Sequence, residues 1–386
     1  MLTTTLPRTG SPELTPRLFR KQPLRYFDAC VQQAQEAHWI TPSMLCVMEP
    51  EAAKRVLANG DGLIQETSDF FHTRSGPFGP RALQLEIAGG ARRLLTRHAD
   101  RARSTQWALL EQATGSDQVW PNAGNRLLYE YFKPVLATQD RRHALDPLLE
   151  EILRHGVFAG ARERRSRVVR FFFRRRVMGA LEREVEFRVQ EEGGRFLDAP
   201  RDLFDVLARG TRFGAEARDL GQLYLPFFFA VAGSVGFTLA WALRLLALHG
   251  AGDEVSSGAV VREALRLWPI AWQTARRPAV AHEIAGIEVD TDTILLISSY
   301  ATQRHPAYWA DPNRFDPGRW QDLNHPAFFP FGWGPHTCAA ASLSLRIGAE
   351  FVDLARQTGR LKIESLSSTP FTGSSLAPPR YRLDLH

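Results

Sequence analysis

A single cysteine stands behind a glycine-rich loop in the last quarter of the chain. The stretch Phe331-Gly332-Trp333-Gly334-Pro335-His336-Thr337-Cys338 leads into residues 339–358, whose alanine, leucine and isoleucine content predicts a helix. Cys338 would therefore lie at a helix N-terminus, where backbone N–H groups and the helix dipole favour a thiolate over a thiol. A lone cysteine is also common as an inert buried residue, so its neighbours decide the interpretation.

Four residues of the loop support a chemical role for the cysteine. Gly332 and Gly334 allow the backbone to wrap close to the sulfur and to direct further N–H donors at it. Phe331 can shield one side of the sulfur, and His336 can reach a carboxylate. Together these residues describe a sulfur that is held and shielded by its own loop.

The pattern F-G-x-G-x-H-x-C-x-A closely resembles the haem-binding loop of the cytochrome P450 family, the haem-thiolate monooxygenases. The resemblance implies that Cys338 is the axial ligand of the iron of one haem b. It also implies a mainly α-helical fold with small β-sheets, in which the haem is buried between a long central helix and the cysteine-bearing loop. One departure is visible, because Ala340 stands where the family usually has glycine.

A second signature lies about seventy residues before the cysteine. Glu263 and Arg266 are three residues apart on a predicted helix and can form an ion pair. Arg314 follows in the intervening loop Asp311-Pro312-Asn313-Arg314-Phe315. This order resembles the family's Glu-Arg-Arg lock, which implies that the helix pair holds Arg314.

Basic residues elsewhere are candidates for binding the two haem propionates, because buried carboxylates without partners are costly. Arg276 lies ten residues before Gly286, where the family keeps such an arginine, although Arg277 beside it could take the role. His336 is a second candidate. Arg93 and Arg97 lie four apart on one predicted helix face and bind a propionate or form ordinary surface charge.

The segment Gly221–Leu243 contains no charged residue and is long enough either to cross a membrane or to form a buried core helix. The resemblance implies the core helix, with Ala232–Trp241 as the oxygen-binding segment. There the family follows an Ala-Gly pair, after one residue, with an acid and a threonine that kink the helix, hold water and deliver protons. Here Val235 and Gly236 occupy those two positions after Ala232 and Gly233, and Ser234 and Thr238 are expected to face other directions.

This loss leaves several functions open. The protein is an oxygen-dependent monooxygenase in which a substrate hydroxyl or an ordered water relays protons, or a peroxygenase that uses peroxide. It is otherwise an isomerase or dehydratase in which the haem does non-redox chemistry, or a haem-binding sensor without turnover. Product formation without reductant separates the isomerase from an oxidase.

Three segments should surround the substrate: the long apolar helix, the stretch after the Glu263–Arg266 helix, and the C-terminal tail. The candidate pocket residues are those that these segments direct toward it. Large apolar groups dominate there and predict a small, largely apolar or aromatic substrate, with Gln273 or Thr274 as an orienting contact. The candidate residues are Val231, Phe237, Ile270, Ala271, Trp272, Gln273, Thr274 and Phe371.

Composition fits one globular enzyme. The 386 residues are 44% hydrophobic and 23% charged, which allows a substantial core. We expect residues 1–22 to be a flexible lead and residues 23–386 to form a single domain. The three cysteines give no disulfide framework, and residues 1–15 are polar without an apolar segment of the signal-peptide kind. We therefore expect a cytoplasmic monomer in specialised metabolism that does not bind membranes. Because no flavin or iron–sulfur domain fits in this length, a separate ferredoxin or flavoprotein should supply electrons.

The net charge of +6 would also suit an acidic partner. Much of the excess lies in Arg162–Arg176, where eight of fifteen residues are arginine. Phe171, Phe172 and Phe173 interrupt this run and predict that one side of it is buried. No zinc-finger spacing, phosphate loop or RNA-binding signature accompanies it, so nucleic acid is not an expected partner.

Overall fold

The computed structural model describes residues 14–68, 70–160, 167–191, 198–321, 324–359 and 361–385. Within these residues the chain is mainly helical with small β-sheets, as the sequence predicts. The helices are α1 (Pro16–Lys21), α2 (Pro23–Gln32), α3 (Pro50–Ala58), α4 (Arg81–Arg101), α5 (Gln106–Gln112), α6 (Asn122–Leu136), α7 (Gln139–Ile152), α8 (Arg167–Gln190), α9 (Leu203–Ala208), α10 (Ala217–Phe228), α11 (Val235–His249), α12 (Ser257–Leu267), α13 (Ser299–Thr302) and α14 (Ala341–Gln357).

The strands are short and concentrate near the two ends of the chain. They are β1 (Ala37–Thr41), β2 (Met44–Val47), β3 (His72–Thr73), β4 (Gly76–Pro77), β5 (Thr274–Arg276), β6 (His282–Ile284), β7 (Ile287–Val289), β8 (Ile294–Ile297), β9 (Leu361–Ser365), β10 (Phe371–Thr372), β11 (Leu376–Ala377) and β12 (Tyr381–Leu385).

The chain divides into two compact units, each with its own set of contacts. The first unit comprises the described residues of Met1–Glu66, Arg266–Phe315 and Gln321–Thr337. The second comprises those of Thr67–Leu265, Asp316–Trp320 and Cys338–His386. The predicted lead contains helix α1, and residues 1–13 lie outside the described part.

The first unit is built on a four-stranded sheet in the order β1-β2-β8-β5. Strands β2 and β8 pair in parallel, and the other pairs are antiparallel. Helix α3 begins at Pro50, where the Glu49 carboxylate accepts the exposed N–H groups of the first turn, and it ends at Asn59 in the left-handed conformation. Its apolar face packs on the sheet in a buried cluster of Leu45, Val47, Ala53, Val56, Leu57, Ile64, Ile284, Val289, Leu295, Ile297 and Phe329.

The second unit contains the long apolar helix that the sequence predicts. Helix α10, the π-helical segment Phe229–Ser234 and helix α11 follow one another without a break, and we call Ala217–His249 the central helix. By length and composition it could cross a membrane, but 67% of its most apolar window is buried inside the protein. Such burial is typical of a core helix, and this favours the core interpretation over a membrane span.

An ion network also lies in the second unit. The fully buried Arg188 of α8 donates hydrogen bonds to Glu184 Oε1 at 2.8 Å, Asp202 Oδ2 at 2.9 Å and Asp205 Oδ1 at 2.7 Å. Burial raises the pKa of Asp202 to about 6, although the charge of Arg188 opposes this rise. The network ties α8 to the N-terminus of α9, which Asp202 caps through the N–H of Asp205.

The arginine-rich segment does not bury the side that the sequence predicts. Phe171 and Phe172, in the first turns of α8, are 61% and 64% exposed. The expectation of a buried aromatic side is therefore wrong for these two rings. Residues 162–166 of the run lie outside the described part of the chain.

Candidate functional site

Cys338 opens the last segment of the second unit, three residues before α14 begins at Ala341. The residue is exposed, and the backbone N–H of Ala340 donates a hydrogen bond to its sulfur. The surrounding protein nevertheless withdraws water from the thiol, and this desolvation raises its pKa against the lowering effect of that N–H. The prediction of a thiolate held by the helix terminus alone is therefore wrong, because the sulfur lies before the first helical turn. A coordinated metal ion deprotonates a thiol outright, so the raised pKa is compatible with a ligand.

The glycines of the cysteine loop, Phe331–Thr337, have the freedom that the sequence suggests. Gly334 has φ +70°, and a Cβ built on it would lie 2.6 Å from Ala58 Cα. A larger residue would collide with the end of helix α3, so this position requires glycine. Gly332 has φ +75°, and Phe331 is half-buried. The loop thus follows α3 closely within the first unit.

His336 binds a carboxylate, although one that belongs to the protein. Its Nε2 lies 2.5 Å from Oε1 of Glu66, whose own side chain is largely exposed. The imidazole is thus positioned to pair with a negative oxygen. This contact shows the preference that a propionate-binding role requires.

Arg276 ends strand β5 and Arg277 follows it, and the two arginines differ in burial. Arg276 is buried and donates from Nη1 to the carbonyl of Ala275 at 2.8 Å. Arg277 is exposed and donates to the carbonyl of Asp292 at 3.3 Å. The burial favours Arg276 over Arg277 as the candidate for a buried carboxylate.

Arg93 and Arg97 lie on an exposed face of helix α4. Arg93 Nη2 is 3.9 Å from Oε1 of Glu86, about two turns earlier on the same helix. Both arginines line a cavity of about 580 Å³ that α4 forms with residues 198–213. Their contact with a haem propionate stays a prediction.

Hydrogen bonds within each unit hold the residues of the predicted lock. In the second unit, the fully buried Glu263 accepts from the N–H of Asp316 at 3.0 Å, from Arg319 Nε at 3.1 Å and from Trp320 Nε1 at 3.0 Å. In the first unit, the fully buried guanidinium of Arg266 donates to the carbonyls of Gln303, Pro312 and Arg314 at 2.8, 2.8 and 3.1 Å.

The arginine that meets Glu263 is Arg319, and the prediction of Arg314 is wrong. Arg314 is exposed and contributes its backbone carbonyl, whereas the Arg319 side chain is only 14% exposed. Each arginine is followed by an aromatic residue, Phe315 after Arg314 and Trp320 after Arg319. The arginine–aromatic pattern alone therefore does not identify the partner of Glu263. The buried indole N–H of Trp320, which shares the Glu263 carboxylate, is the additional signal.

The central helix is opened within the segment that the sequence predicts to bind oxygen. In the π-helical segment Phe229–Ser234, which we call the bulge, the N–H of Val235 donates to the carbonyl of Ala230, five residues earlier. The extra residue per turn rotates everything that follows it. Three pairs of half-buried residues repeat along the helix at intervals of four and then five residues, and we call them the half-buried strip. They are Leu225 and Pro226, Phe229 and Ala230, and Ser234 and Val235.

Ser234 and Val235 are both half-buried. The expectation that Ser234 faces a different direction from the acid position stays a prediction. Gly236, the expected threonine position, is buried instead against helix α6, where a Cβ would lie 2.6 Å from Asn125 Nδ2. Thr238 Oγ1 donates to the carbonyl of Ser234 at 2.9 Å. Ala232 and Gly233 are buried within the helix packing.

The predicted pocket residues differ in exposure. Trp272 packs edge-on against Phe27, with 6.0 Å between ring centroids. Gln273 is half-buried, and its Oε1 is a buried acceptor without a donor among the described residues. Phe371 is half-buried beside Gly160. The buried members are Val231, Phe237, Ile270 and Trp272, while Thr274 is half-buried and Ala271 exposed.

These side chains suit a haem in chemical terms. Cys338 offers an exposed sulfur with a backbone N–H directed at it. His336 already binds a carboxylate, and the buried Arg276 carries a charge that a carboxylate can neutralise. A thiolate ligand together with carboxylate-binding groups matches an iron porphyrin with propionates.

Comparison with known proteins gives the same assignment. The sequence profile of the cytochrome P450 family matches residues 258–344, a segment that contains Glu263, Arg319 and Cys338. The structure of P450 OxyD, which is involved in the biosynthesis of vancomycin-type antibiotics, superimposes with a TM-score of 0.72 at 17% identity over 97% of this chain and 100% of that one. Residues 258–344 thus match the cytochrome P450 family, and the described chain has the cytochrome P450 fold.

Two further P450 proteins resemble the chain, one at higher identity over a shorter segment and one in structure at low identity. Cyclooctat-9-en-7-ol 5-monooxygenase of Streptomyces melanosporofaciens is 31% identical over 193 residues, which is 42% of this chain and 42% of that enzyme. The structure of P450BioI with a fatty-acid-loaded acyl carrier protein has a TM-score of 0.72 at 16% identity, over 96% of this chain and 100% of that one. The chain spans less than half the length of the first curated relatives that it matches.

Proposed function

We propose that this protein is a haem-thiolate monooxygenase that oxidises a small, largely apolar organic molecule in specialised metabolism. It uses molecular oxygen and electrons from a separate ferredoxin or flavoprotein. The observation that carries the proposal is the exposed Cys338 sulfur with a backbone N–H directed at it, within the segment that matches the family profile. We expect the protein to act as a cytoplasmic monomer.

The residues of the cysteine loop and strand β5 would hold the haem. Cys338 would bind the iron, and the loop before it turns through the left-handed backbone of Gly332 and Gly334. Arg276 and His336 neutralise the propionates. Haem b bound through a thiolate supplies oxygen activation for a two-electron oxidation.

Proton delivery falls to the half-buried strip of the central helix. None of the six residues of the strip is acidic, and Ser234 is its one hydroxyl. Ser234 therefore binds a water and passes a proton along the strip, since Val235 beside it can do neither. The absence of an acid on this strip also favours a second candidate function, that of a peroxygenase, because peroxide brings its own protons.

The substrate should carry a hydrogen-bond donor on an apolar body. Gln273 Oε1 is a buried acceptor, and such a group costs free energy until a donor reaches it. The name of the 31% identical relative describes an alcohol as its substrate. We expect an apolar alcohol that donates its hydroxyl hydrogen to Gln273.

The test compares two ways of driving the oxidation, labelled O₂ with a reductase system and peroxide alone. Purified holoprotein is incubated with apolar alcohols, cyclooctat-9-en-7-ol among them, under labelled O₂ with a ferredoxin and its reductase, or with peroxide alone. A labelled product that forms only with the reductase supports the monooxygenase. A product formed with peroxide alone supports the peroxygenase, and an isomeric product that needs neither contradicts both.

A further inference from the structure

The amide of Asn125 enters the central helix from helix α6. Its Nδ2 donates to the carbonyl of Ala232 at 2.9 Å and to that of Gly233 at 3.2 Å. Asn125 is 0% exposed. Because carbonyl oxygens only accept hydrogen bonds, the amide orientation is fixed, with nitrogen toward the helix and Oδ1 away from these two oxygens.

These two carbonyls lie in the bulge, where the backbone needs partners from outside the helix. In a π-helix each N–H bonds to the carbonyl five residues earlier, and in an α-helix to the carbonyl four residues earlier. Where one pattern changes to the other, one carbonyl receives no hydrogen bond from an N–H of its own helix. A carbonyl left unpaired in a buried site is costly. Two donated hydrogen bonds from Asn125 offset that cost and stabilise the open form against a regular α-helix.

Glycines on both helices allow this approach. A Cβ on Gly236 would lie 2.6 Å from Asn125 Nδ2 and 2.9 Å from Asn125 Cα. A Cβ on Gly124 would lie 3.2 Å from the carbonyl oxygen of Gly236. The residue at the family's threonine position is therefore glycine for a packing reason, since any side chain there would expel the amide.

We infer that Asn125 is the positioning residue that holds the central helix open at the bulge, and thereby replaces one task of the missing acid–threonine pair. The inference rests on the proposed function and deepens it. The amide acts through the backbone of the central helix, to which both of its hydrogen bonds are made. It fixes that backbone at Ala232 and Gly233, directly before the half-buried Ser234 and Val235.

A further feature of the same amide supports this assignment. Asn125 Oδ1 is buried and accepts no hydrogen bond from the residues that the structure describes. A side chain selected for packing alone would leave no such acceptor, because an apolar residue of equal size avoids the cost. Its retention in a fully buried position is accounted for by the two hydrogen bonds that the nitrogen makes.

The test uses the holoprotein with two variants that keep the size of the side chain but remove both donors, Asn125→Leu and Asn125→Asp. Hydrogen exchange is followed in the peptide that covers residues 229–238. We expect its amides to exchange about tenfold faster in both variants, because the bulge opens more readily without its two hydrogen bonds. The stretching band of carbon monoxide on the reduced haem should also shift, since it senses the backbone of the opened helix.

Leu127→Ala is the matched control. Leu127 is equally buried on α6 but lies 200° around the helix from Asn125. We expect this control to lower thermal stability without a selective change at 229–238 and without a band shift. The inference is overturned if both Asn125 variants behave like the control, with uniform exchange and an unmoved band.

Gly236→Ala provides an independent route should the Asn125 variants not fold. Its new methyl group would displace the amide while leaving Asn125 in place, so the same faster exchange and band shift are expected. An unchanged peptide and band in this variant would overturn the inference. A wild-type protein that binds no haem through a thiolate contradicts the proposed function, whereas these exchange measurements bear on Asn125 alone.

Discussion

The Glu263 carboxylate and the Arg319 guanidinium are joined inside the second unit, with 3.1 Å between Oε1 and Nε. Glu263 is fully buried and also holds the backbone N–H of Asp316 and the indole of Trp320. A buried carboxylate depends on its charged partner for stability. The segment before the cysteine loop is thus fixed to helix α12 through Arg319.

This relationship predicts different effects for the two arginines of that segment. Arg319→Ala should lower the free energy of unfolding by about 3 kcal/mol, because it removes a charged partner of the buried Glu263 carboxylate. Arg314→Ala should change it by less than about 0.5 kcal/mol, because that side chain is exposed. Urea unfolding followed by circular dichroism measures both values. A larger loss for Arg314→Ala would restore the sequence-based assignment of the lock.

The Arg188 network predicts a dependence of stability on pH. Burial raises the pKa of Asp202 to about 6, above the value of about 3.9 for an unfolded aspartate. The folded state then binds the proton more tightly, so this contribution is present below pH 4 and is lost as pH rises through 6. The wild type should therefore lose stability relative to Asp202→Asn between pH 4 and 6. Parallel thermal unfolding curves for the two proteins over this range would contradict the prediction.

Gln273 should contribute to substrate binding through its buried oxygen. Gln273→Leu should weaken the binding of cyclooctat-9-en-7-ol about tenfold, the loss expected for one neutral hydrogen bond. The matched hydrocarbon without the hydroxyl group should bind both proteins equally. Titration followed by the haem absorption band measures the affinities, and Thr274→Val serves as the control. Equal weakening for the alcohol and the hydrocarbon would show that Gln273 only packs.

Ser234 should matter for oxygen but not for peroxide. Ser234→Ala should slow the oxygen-driven reaction about a hundredfold, because it removes the hydroxyl that relays protons. The peroxide-driven rate should stay unchanged. Thr238→Val is the control, since the Thr238 hydroxyl is already bonded to the Ser234 carbonyl. Equal rates for Ser234→Ala and the wild type in the oxygen-driven assay would remove Ser234 from the mechanism.

Local patterns along the chain predicted several parts of the structure well. The helix predicted over 339–358 is α14, Ala341–Gln357, because a run of alanine, leucine and isoleucine determines such an element locally. The central helix extends a few residues beyond the predicted 221–243 at both ends. The buried position of Glu263 also follows from its motif.

The features that could not be predicted from the sequence depend on contacts between segments that are far apart in the chain. Arg314 and Arg319 precede aromatic residues in the same loop, and only the tertiary structure decides which one reaches Glu263. The bulge adds one residue to a turn of the central helix, and counting 100° per residue does not anticipate it. Asn125 lies 107 residues before Ala232, and nothing in its surrounding sequence marks it.

The central claim is that Cys338 is the thiolate ligand of a haem. The most direct measurement is the absorption spectrum of the reduced protein with carbon monoxide, recorded for the wild type, Cys338→His and Cys338→Ala at equal haem content. We predict the red-shifted Soret band of a thiolate-ligated haem in the wild type and its loss in both variants. A wild-type spectrum without that band, or the same band in Cys338→Ala, would contradict the account.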